Sequence, residues 1–475
     1  LIIPPVADNL GERDGMCTRR AWRRRAKHCR PLWRCAAKKN GAILFQRMLA
    51  QQTVCLRRLA GTRARQVQFG RWLANDKVSA AEIIAHACRR TGAAACGRHV
   101  LAIQDTTELN YQSHVRRVSG LGTVGNGKDA GMFLHPLLAL DANDGTCLGL
   151  AHAHHWCRTR KAAPDYRKHP IEAKESWRWL QVAQAGKDCL CGAAMVTIVA
   201  DRESDIYEEW ARLPDERTHL LTRACRDRTL AAGGTLYAWL DAQPVQGGYC
   251  FEAPARPGRR TAHRAQMSVR FGRIAIKRPA ACSDKAAPAQ IELHVVEVRE
   301  QPHSVVGKEA PVHWRLLTTH PVACVEDALQ CVDWYRQRWH IEQLFRTLKK
   351  QGLDVESSQV ETGAGLAKLA CLALQAAVRT LQLTLARDGA NAVQAGAVFE
   401  AQEAALLERI LPSLEGKTQK QKNPHPPGSL AHAAWIVARL GGWMGYASEA
   451  RPGPITMLRG LQRLEAMCCG WALAR

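Results

Sequence analysis

At 475 residues the chain is too long for one ordinary core, and roughly two to four domains are expected. With 46% hydrophobic and 23% charged residues it reads as globular, which excludes a disordered chain; no run of about 18 uninterrupted apolar residues marks a membrane span, and no signal-peptide pattern follows Leu1. The formal charge is +24, and residues 1–100 hold 21 Lys/Arg against 5 Asp/Glu, an asymmetry that suggests a nucleic-acid partner, a merely basic soluble protein being the plain alternative.

Residues 1–75 are arginine-rich, and "RRAWRRRAKHCR" (19–30) is the densest run. "FGRWLANDKVSAAEIIAHACRR" (69–90) predicts a helix, a turn and a second helix that Ser79 can cap. "HVLAIQDTTEL" (99–109) is a short apolar run that ends abruptly in Asp105. "GLGTVGNG" (120–127) contains G-x-G-x-x-G, but no strand leads into it and no helix follows, so a loop is expected rather than a dinucleotide site. "MFLHPLLALDANDGTCLGLAHAHHW" (132–156) predicts two adjacent strands joined by "DANDG". Its end, with His152, His154, His155 and Cys157, has metal-ligand residue types but sits in a strand-like alternation, which favours a structural role.

"AAMVTIVADRESDIYEEW" (193–210) repeats the earlier pattern of a buried strand, an aspartate at its end (Asp201) and a helix start. From about 225 to 312 short alternating strands with many Gly and Pro predict an all-β segment. "VHWRLLTTHPV" (312–322) is another buried strand. It leads into "DWYRQRWHIEQLFRTLKKQG" (333–352), read as one amphipathic helix with Ile341, Leu344, Phe345 and Leu348 on its apolar face. Tyr335, Arg338, Glu342, Arg346 and Lys349 then line a neighbouring face. Two readings of that row stand: a solvated face with i,i+4 pairs from Glu342 to Arg338 and Arg346, each worth roughly 0.2–0.5 kcal/mol, or a site for a polyanion. Beyond about 375 the pattern is helical, broken by "GKTQKQKNPHPPGS" (416–429). The 18 cysteines include no C-x-x-C and read as thiols in a reducing cytosol.

Asp105 and Asp201 end strands, and the ends of neighbouring strands in an α/β sheet share a crevice. Glu342 sits in the first turns of a helix. Three carboxylates gathered there repel one another unless cations neutralise them, and hard divalent ions are the natural solution; two such ions clamp the attacking and leaving oxygens of a phosphoryl transfer. Each residue also has a structural reading: Asp105 as a turn residue before Thr106 and Thr107, Asp201 as a helix cap, Glu342 as the partner of Arg338 alone.

The spacing Y-x2-R-x3-E-x6-K, met by Tyr335, Arg338, Glu342 and Lys349, resembles the signature of DDE transposases of the insertion-sequence-four family. "QDTTEL", "GLGTVGNGK", "VADRESDIYE", "WRLLTTHPV", "EGKTQKQKNPHPPGSLAHAAWIVARLGGWMGY" and "GPITMLRGLQRL" also resemble it, so the likeness spans about residues 68–475. The resemblance implies an α/β fold: a ribonuclease-H-like catalytic core with a β-rich insertion, flanked by helical N- and C-terminal regions. On it, 1–98 is a basic DNA-binding region, 99–375 the core with its insertion at about 225–312, and 376–475 a helical region. Asp105, Asp201 and Glu342 are then the catalytic, metal-binding triad for Mg²⁺, with Mn²⁺ able to substitute. Tyr335, Arg338, Arg346 and Lys349 are expected to contact DNA. Trp314 matches a position that can stack on an extruded base, a core tryptophan being the alternative.

The activity implied is cut-and-paste transposition on double-stranded DNA, both transposon ends and target, in a bacterial cytoplasm and at the nucleoid when DNA-bound. A nuclease that never joins ends and an inactive DNA-binding descendant are the other classes. Residues 1–67 depart from the family's end-gripping domain. Because two ends must be handled together, a homodimer in the DNA complex is expected, and the apolar stretch "LAHAAWIVARLGGWMGY" places its pairing surface in 376–475, an ordinary domain core being the alternative.

Overall fold

The computed structural model describes residues 36–158, 169–255, 260–307, 309–389, 393–446 and 448–473, and the arginine-rich run 19–30 lies outside them. Among the described residues four helices precede the sheet: α1 (Ala36–Gln51), α2 (Leu56–Ala60), α3 (Arg63–Ala74) and α4 (Ala80–Ala94). The last two are the helix pair expected around 69–90. Ser79 Oγ accepts from the Glu82 amide at 3.1 Å and Glu82 Oε2 accepts from the Ser79 amide at 3.3 Å, a reciprocal cap that fixes where α4 begins.

The sheet then builds around β1 (His99–Gln104), β2 (Thr107–Asn110), β3 (Gly122–Val124), β4 (Asp129–Asp141) and β5 (Cys147–Trp156). Helix α5 (Trp177–Cys189) leads to β6 (Met195–Ala200), and α6 (Tyr207–Arg212) leads to β7 (Thr218–Arg223). The β4–β5 hairpin is the one expected, and the glycine-rich loop holds β3, which pairs with β4. β1 pairs antiparallel with β4 and parallel with β6, and β6 parallel with β7, so these strands lie in the order β5-β4-β1-β6-β7. Both faces of the central strands are covered: Leu101 and Ile103 enter one core, Val100 and Ala102 the other. Such strands read as continuous apolar runs because neither face meets water.

The β-rich segment contains α7 (Leu236–Ala242), β8 (Gly247–Ala253), β9 (His263–Lys277) and β10 (Gln290–Glu300). It is not a separate layer. Strand β11 (His313–Thr318) pairs antiparallel with both β7 and β10, so the segment continues the same sheet as β7-β11-β10-β9-β8.

The stretch 333–352 is two helices rather than one, α8 (Val325–Gln337) and α9 (Trp339–Lys349), which meet at Arg338. There the Arg338 amide donates to Tyr335 O and the Ile341 amide to Arg338 O, both at 3.1 Å. These three-residue bonds tighten the turn relative to the four-residue ladder. The straight-helix row is thereby broken up: Tyr335 is buried and Arg346 is exposed.

Helix α10 (Gly363–Ala386) runs unbroken through the expected division at 375/376. By length and composition it is apolar enough to cross a membrane, although Lys368 and Arg379 interrupt its apolar run; 89% of its most apolar part is buried inside the protein, as in a core helix. Helices α11 (Ala401–Leu414), α12 (Leu430–Leu440) and α13 (Pro454–Leu473) complete the chain's described helices. Every residue of α12 except Arg439 is buried. Leu430–Leu440, most of the apolar stretch taken as a pairing surface, therefore packs in the chain's own core, chiefly against α13 and α10, while Met444 and Tyr446 at its end are exposed. Gly460 permits that packing, because a Cβ there would lie 1.9 Å from Val437 O.

Candidate active site

Parallel pairing sets the geometry of the acidic residues. Ile103 stands opposite Val199 in the β1–β6 ladder, and Asp105 and Asp201 each follow two positions later, at adjoining strand ends. The Asp105 carboxylate accepts from the Thr106 amide at 2.7 Å, and Asp201 Oδ1 accepts from the Glu203 amide at 2.8 Å, so Asp201 also caps the short turn Arg202–Ser204 as its structural reading anticipated.

Glu342 arrives on the first turn of α9. Arg338 joins the sheet to this helix: Nη1 donates to Asp105 Oδ2 at 2.8 Å and Nη2 to Glu342 Oε1 at 3.1 Å. Burial first, then the Asp201 charge, pushes the Asp105 carboxyl up to about 7, with Glu342 adding to the rise; Arg338 and the Thr106 amide oppose it. One guanidinium therefore does not neutralise this group of acids.

Tyr335 is buried beside Arg338, and burial raises its phenol against the opposing pull of Arg338 and Arg223. Its ring meets Trp314 edge-on at 5.6 Å between centroids. Trp314 is half-buried on β11, with part of its ring in the core beneath the site. Lys349 pairs with Glu356 at 3.3 Å, and Glu356 also accepts from the Asn110 amide at 2.9 Å. Arg346 does not reach Glu342; it is exposed, its guanidinium 5.8 Å from the Trp339 ring centre. The structure thus brings Asp105, Asp201, Arg338, Glu342 and Tyr335 together, with Trp314 behind them, and leaves Arg346 and Lys349 along the outer part of α9.

The donor chemistry suits a hard divalent cation, since the acids are oxygen ligands whose mutual repulsion is only partly relieved. In the arrangement seen, Arg338 takes the place between Asp105 and Glu342, and among the described residues no three acidic, histidine or cysteine side chains are gathered tightly enough to enclose an ion. This holds equally for His152, His154, His155 and Cys157, and none of the described cysteines is in a disulfide.

Sequence reading missed the polar residues packed behind the aspartates: Gln104, His135, Ser204 and Glu209, all buried. The available signal was a glutamine and a histidine inside otherwise apolar strands, "HVLAIQ" and "MFLHPLLAL".

Residues 156–379 match the family model described as "Transposase DDE domain". That stretch is thus similar to a transposase DDE domain. The match opens at the end of β5 and closes within α10, so it includes Asp201, Trp314, Tyr335, Arg338, Glu342, Arg346 and Lys349. Asp105 precedes it and is tied to the matched stretch through Arg338. Among solved structures, a cryo-EM structure of a piggyBac transposase synaptic complex with hairpin DNA is similar over 78% of this chain and 76% of that chain, at 10% identity and a TM-score of 0.35.

Proposed function

We propose that the chain is a cut-and-paste transposase of the insertion-sequence-four kind, cleaving DNA strands at transposon ends and joining them to target DNA. The observation that carries this reading is the convergence of Asp105 and Glu342 on Arg338, with the Asp201 charge acting on Asp105, within and beside the stretch that matches a transposase DDE domain. The mixed strand order β5-β4-β1-β6-β7, with the two aspartates ending the central parallel pair, supports a ribonuclease-H-like core.

Asp105, Asp201 and Glu342 would hold Mg²⁺ or Mn²⁺, which supplies Lewis-acid stabilisation of phosphoryl charge and a more acidic bound water. The chain's own residues do the rest. Half-buried Asp105 and Asp201 present oxygen ligands from strand ends, where little reorganisation accompanies binding. With an ion held between Asp105 and Glu342, Arg338 would be released from one or both carboxylates and its nitrogens would be available to a phosphate. Arg346 and Lys349 extend the cationic surface along α9 for the phosphates of double-stranded DNA, and Trp314 offers an aromatic face beside Tyr335. A homodimer on two DNA ends, and a location in the bacterial cytoplasm at the nucleoid, belong to this proposal as requirements of the reaction.

The test supplies purified protein with end-containing DNA, a target plasmid and Mg²⁺ or Mn²⁺. Cleaved and joined products are expected, and Asp105→Ala, Asp201→Ala and Glu342→Gln each abolish both. Cleavage with no joined product identifies a nuclease instead, and neither product from a protein that binds the ends identifies a DNA-binding descendant.

A further inference from the structure

Behind the two aspartates lies a closed ring of side-chain hydrogen bonds. Arg178 Nε donates to Thr106 Oγ1 at 3.1 Å, and the Thr106 hydroxyl meets His135 Nδ1 at 2.7 Å. His135 Nε2 meets Gln104 Oε1 at 3.2 Å, and Gln104 Nε2 donates to Glu209 Oε1 at 3.2 Å. Ser204 Oγ bonds Glu209 Oε2 at 2.5 Å. From its other end, Arg178 Nη2 donates to Glu203 Oε2 at 2.8 Å, and Glu203 adjoins Ser204 in the chain. The ring therefore starts and ends on the turn that follows Asp201, and it passes through the residues immediately before and after Asp105.

From Arg178 to Glu209 the donors run in one direction. Gln104 uses its amide N–H toward Glu209, so its oxygen faces His135 and must accept. That assigns the His135 proton to Nε2 and leaves Nδ1 to accept from Thr106, whose oxygen still accepts from Arg178. His135 is fully buried, and burial followed by the Arg178 charge pushes it well below its ordinary range, so the neutral imidazole this pattern needs is the form present. Its ring is held edge-on to Trp179 at 4.6 Å. Each member comes from a different part of the fold: Gln104 and Thr106 flank the end of β1, His135 is on β4, Arg178 on α5, Ser204 on the β6–α6 turn and Glu209 on α6.

We propose that this ring fixes the separation of Asp105 and Asp201 against their mutual repulsion, with His135 and Glu209 as positioning residues for cation binding. The proposal rests on the reading of the aspartates as metal ligands. The backbone hydrogen-bond ladder alone sets where the strand ends lie, but not the directions in which two repelling carboxylates point. The ring clamps the Asp105 turn on both sides and the Asp201 turn at its third and second following residues. Neither His135 nor Glu209 touches the aspartates, so both act through Gln104, Thr106 and Ser204.

The experiment titrates full-length protein with Mn²⁺, reading free ion by electron paramagnetic resonance, and assigns the His135 tautomer by ¹⁵N NMR of histidine-labelled protein. Glu209→Met, close in length but unable to accept, and His135→Leu should each weaken Mn²⁺ binding by roughly tenfold, the low end for loss of a supporting partner. Glu209→Gln should stay within about twofold of the parent, because its amide oxygen still accepts from Gln104 and its N–H can donate to Ser204. The double variant Glu209→Met with His135→Leu should lose no more than either single one, as members of one ring do. Asp105→Asn is the control. If Asp105→Asn loses Mn²⁺ affinity while Glu209→Met keeps it, the positioning role is overturned and the ligand reading stands. If Asp105→Asn binds Mn²⁺ as the parent does, the ligand reading fails and takes the proposal with it. Should Glu209→Met not fold, the tautomer decides: a proton on Nδ1 of His135 in the parent protein overturns the ring.

Discussion

Asp105 on the sheet and Arg338 at the junction of two helices are bonded at 2.8 Å across 233 positions of sequence, and the same guanidinium reaches Glu342. The Arg338 side chain is only 14% exposed, so removing it leaves acids in a setting that water reaches poorly. Arg338→Ala should lower stability by roughly 3 kcal/mol, as breaking a largely buried pair does. Arg338→Lys should recover only part, since an ammonium cannot serve two carboxylates in the planar fork of a guanidinium. Urea denaturation checks both, and an unshifted midpoint in Arg338→Ala would show that the bridge contributes nothing to folding.

Divalent cations should raise the melting temperature of the parent protein at pH 7.5. A ligand carboxylate must be ionised, and Asp105 is held up to about 7, so the increment should shrink as pH falls through 7 toward 6. Asp105→Asn should remove the increment at both pH values. Differential scanning calorimetry with and without Mg²⁺ measures it, and an increment equal at pH 6 and 7.5 contradicts the assignment.

The cations of α9 should differ in their effect on DNA binding. Arg346 is exposed and Lys349 is engaged with Glu356. Arg346→Ala should reduce the slope of log affinity against log salt by roughly 0.7–0.9, one phosphate's worth. Lys349→Ala should change it less, because its charge is already shared. Equal slopes in the parent and Arg346→Ala would make the outer part of α9 a solvated face.

Glu209 sets a pH trend in stability. Burial holds its carboxyl up to about 8 against a usual 4.5, so the folded chain keeps a proton that the unfolded chain releases. Stability from this group is full below about 4.5, declines as pH rises from there to about 8 and is level above. Asp105 contributes with the same sign up to about 7. Glu209→Gln, which keeps the ring and removes the titration, should make the unfolding free energy flatter between pH 5 and 8; urea midpoints at three pH values in that window test it, and parallel curves count against it.

At the α12–α13 contact, Gly460→Ala should destabilise by about 1–3 kcal/mol, since the new methyl meets the Val437 carbonyl and a backbone group cannot swing away. An unchanged thermal midpoint would mean that the two helices slide apart freely.

Much of this site is legible in the sequence, and for a local reason. Apolar runs that stop at Asp105 and Asp201 announce strands whose ends leave the core, and both aspartates stand where those runs place them. The row on 333–352 misled because a 3.6-residue period says nothing about one tightened turn at Arg338, yet that turn moves Tyr335 inward and Arg346 outward. Hydropathy likewise flagged the stretch beginning at Leu430 correctly as needing cover, but not that α13 and α10 of the same chain provide it. The ring through Gln104, His135 and Glu209 stayed hidden because its partners meet only through strand register and helix placement, which no single stretch encodes.

The long separation between Asp105 and Arg338 also orders events in time. A ribosome adding about 5–20 residues per second needs roughly 10–50 s to travel those 233 positions. Asp105 is made at the start of that interval and Asp201 part-way through it, both before the guanidinium that bridges to Glu342, and β11, which ties the β-rich extension back to β7, has yet to pair for much of it. A nascent or prematurely ended chain thus holds at most two of the three acids and lacks the guanidinium that joins two of them. The assembled set exists only after synthesis has passed Glu342.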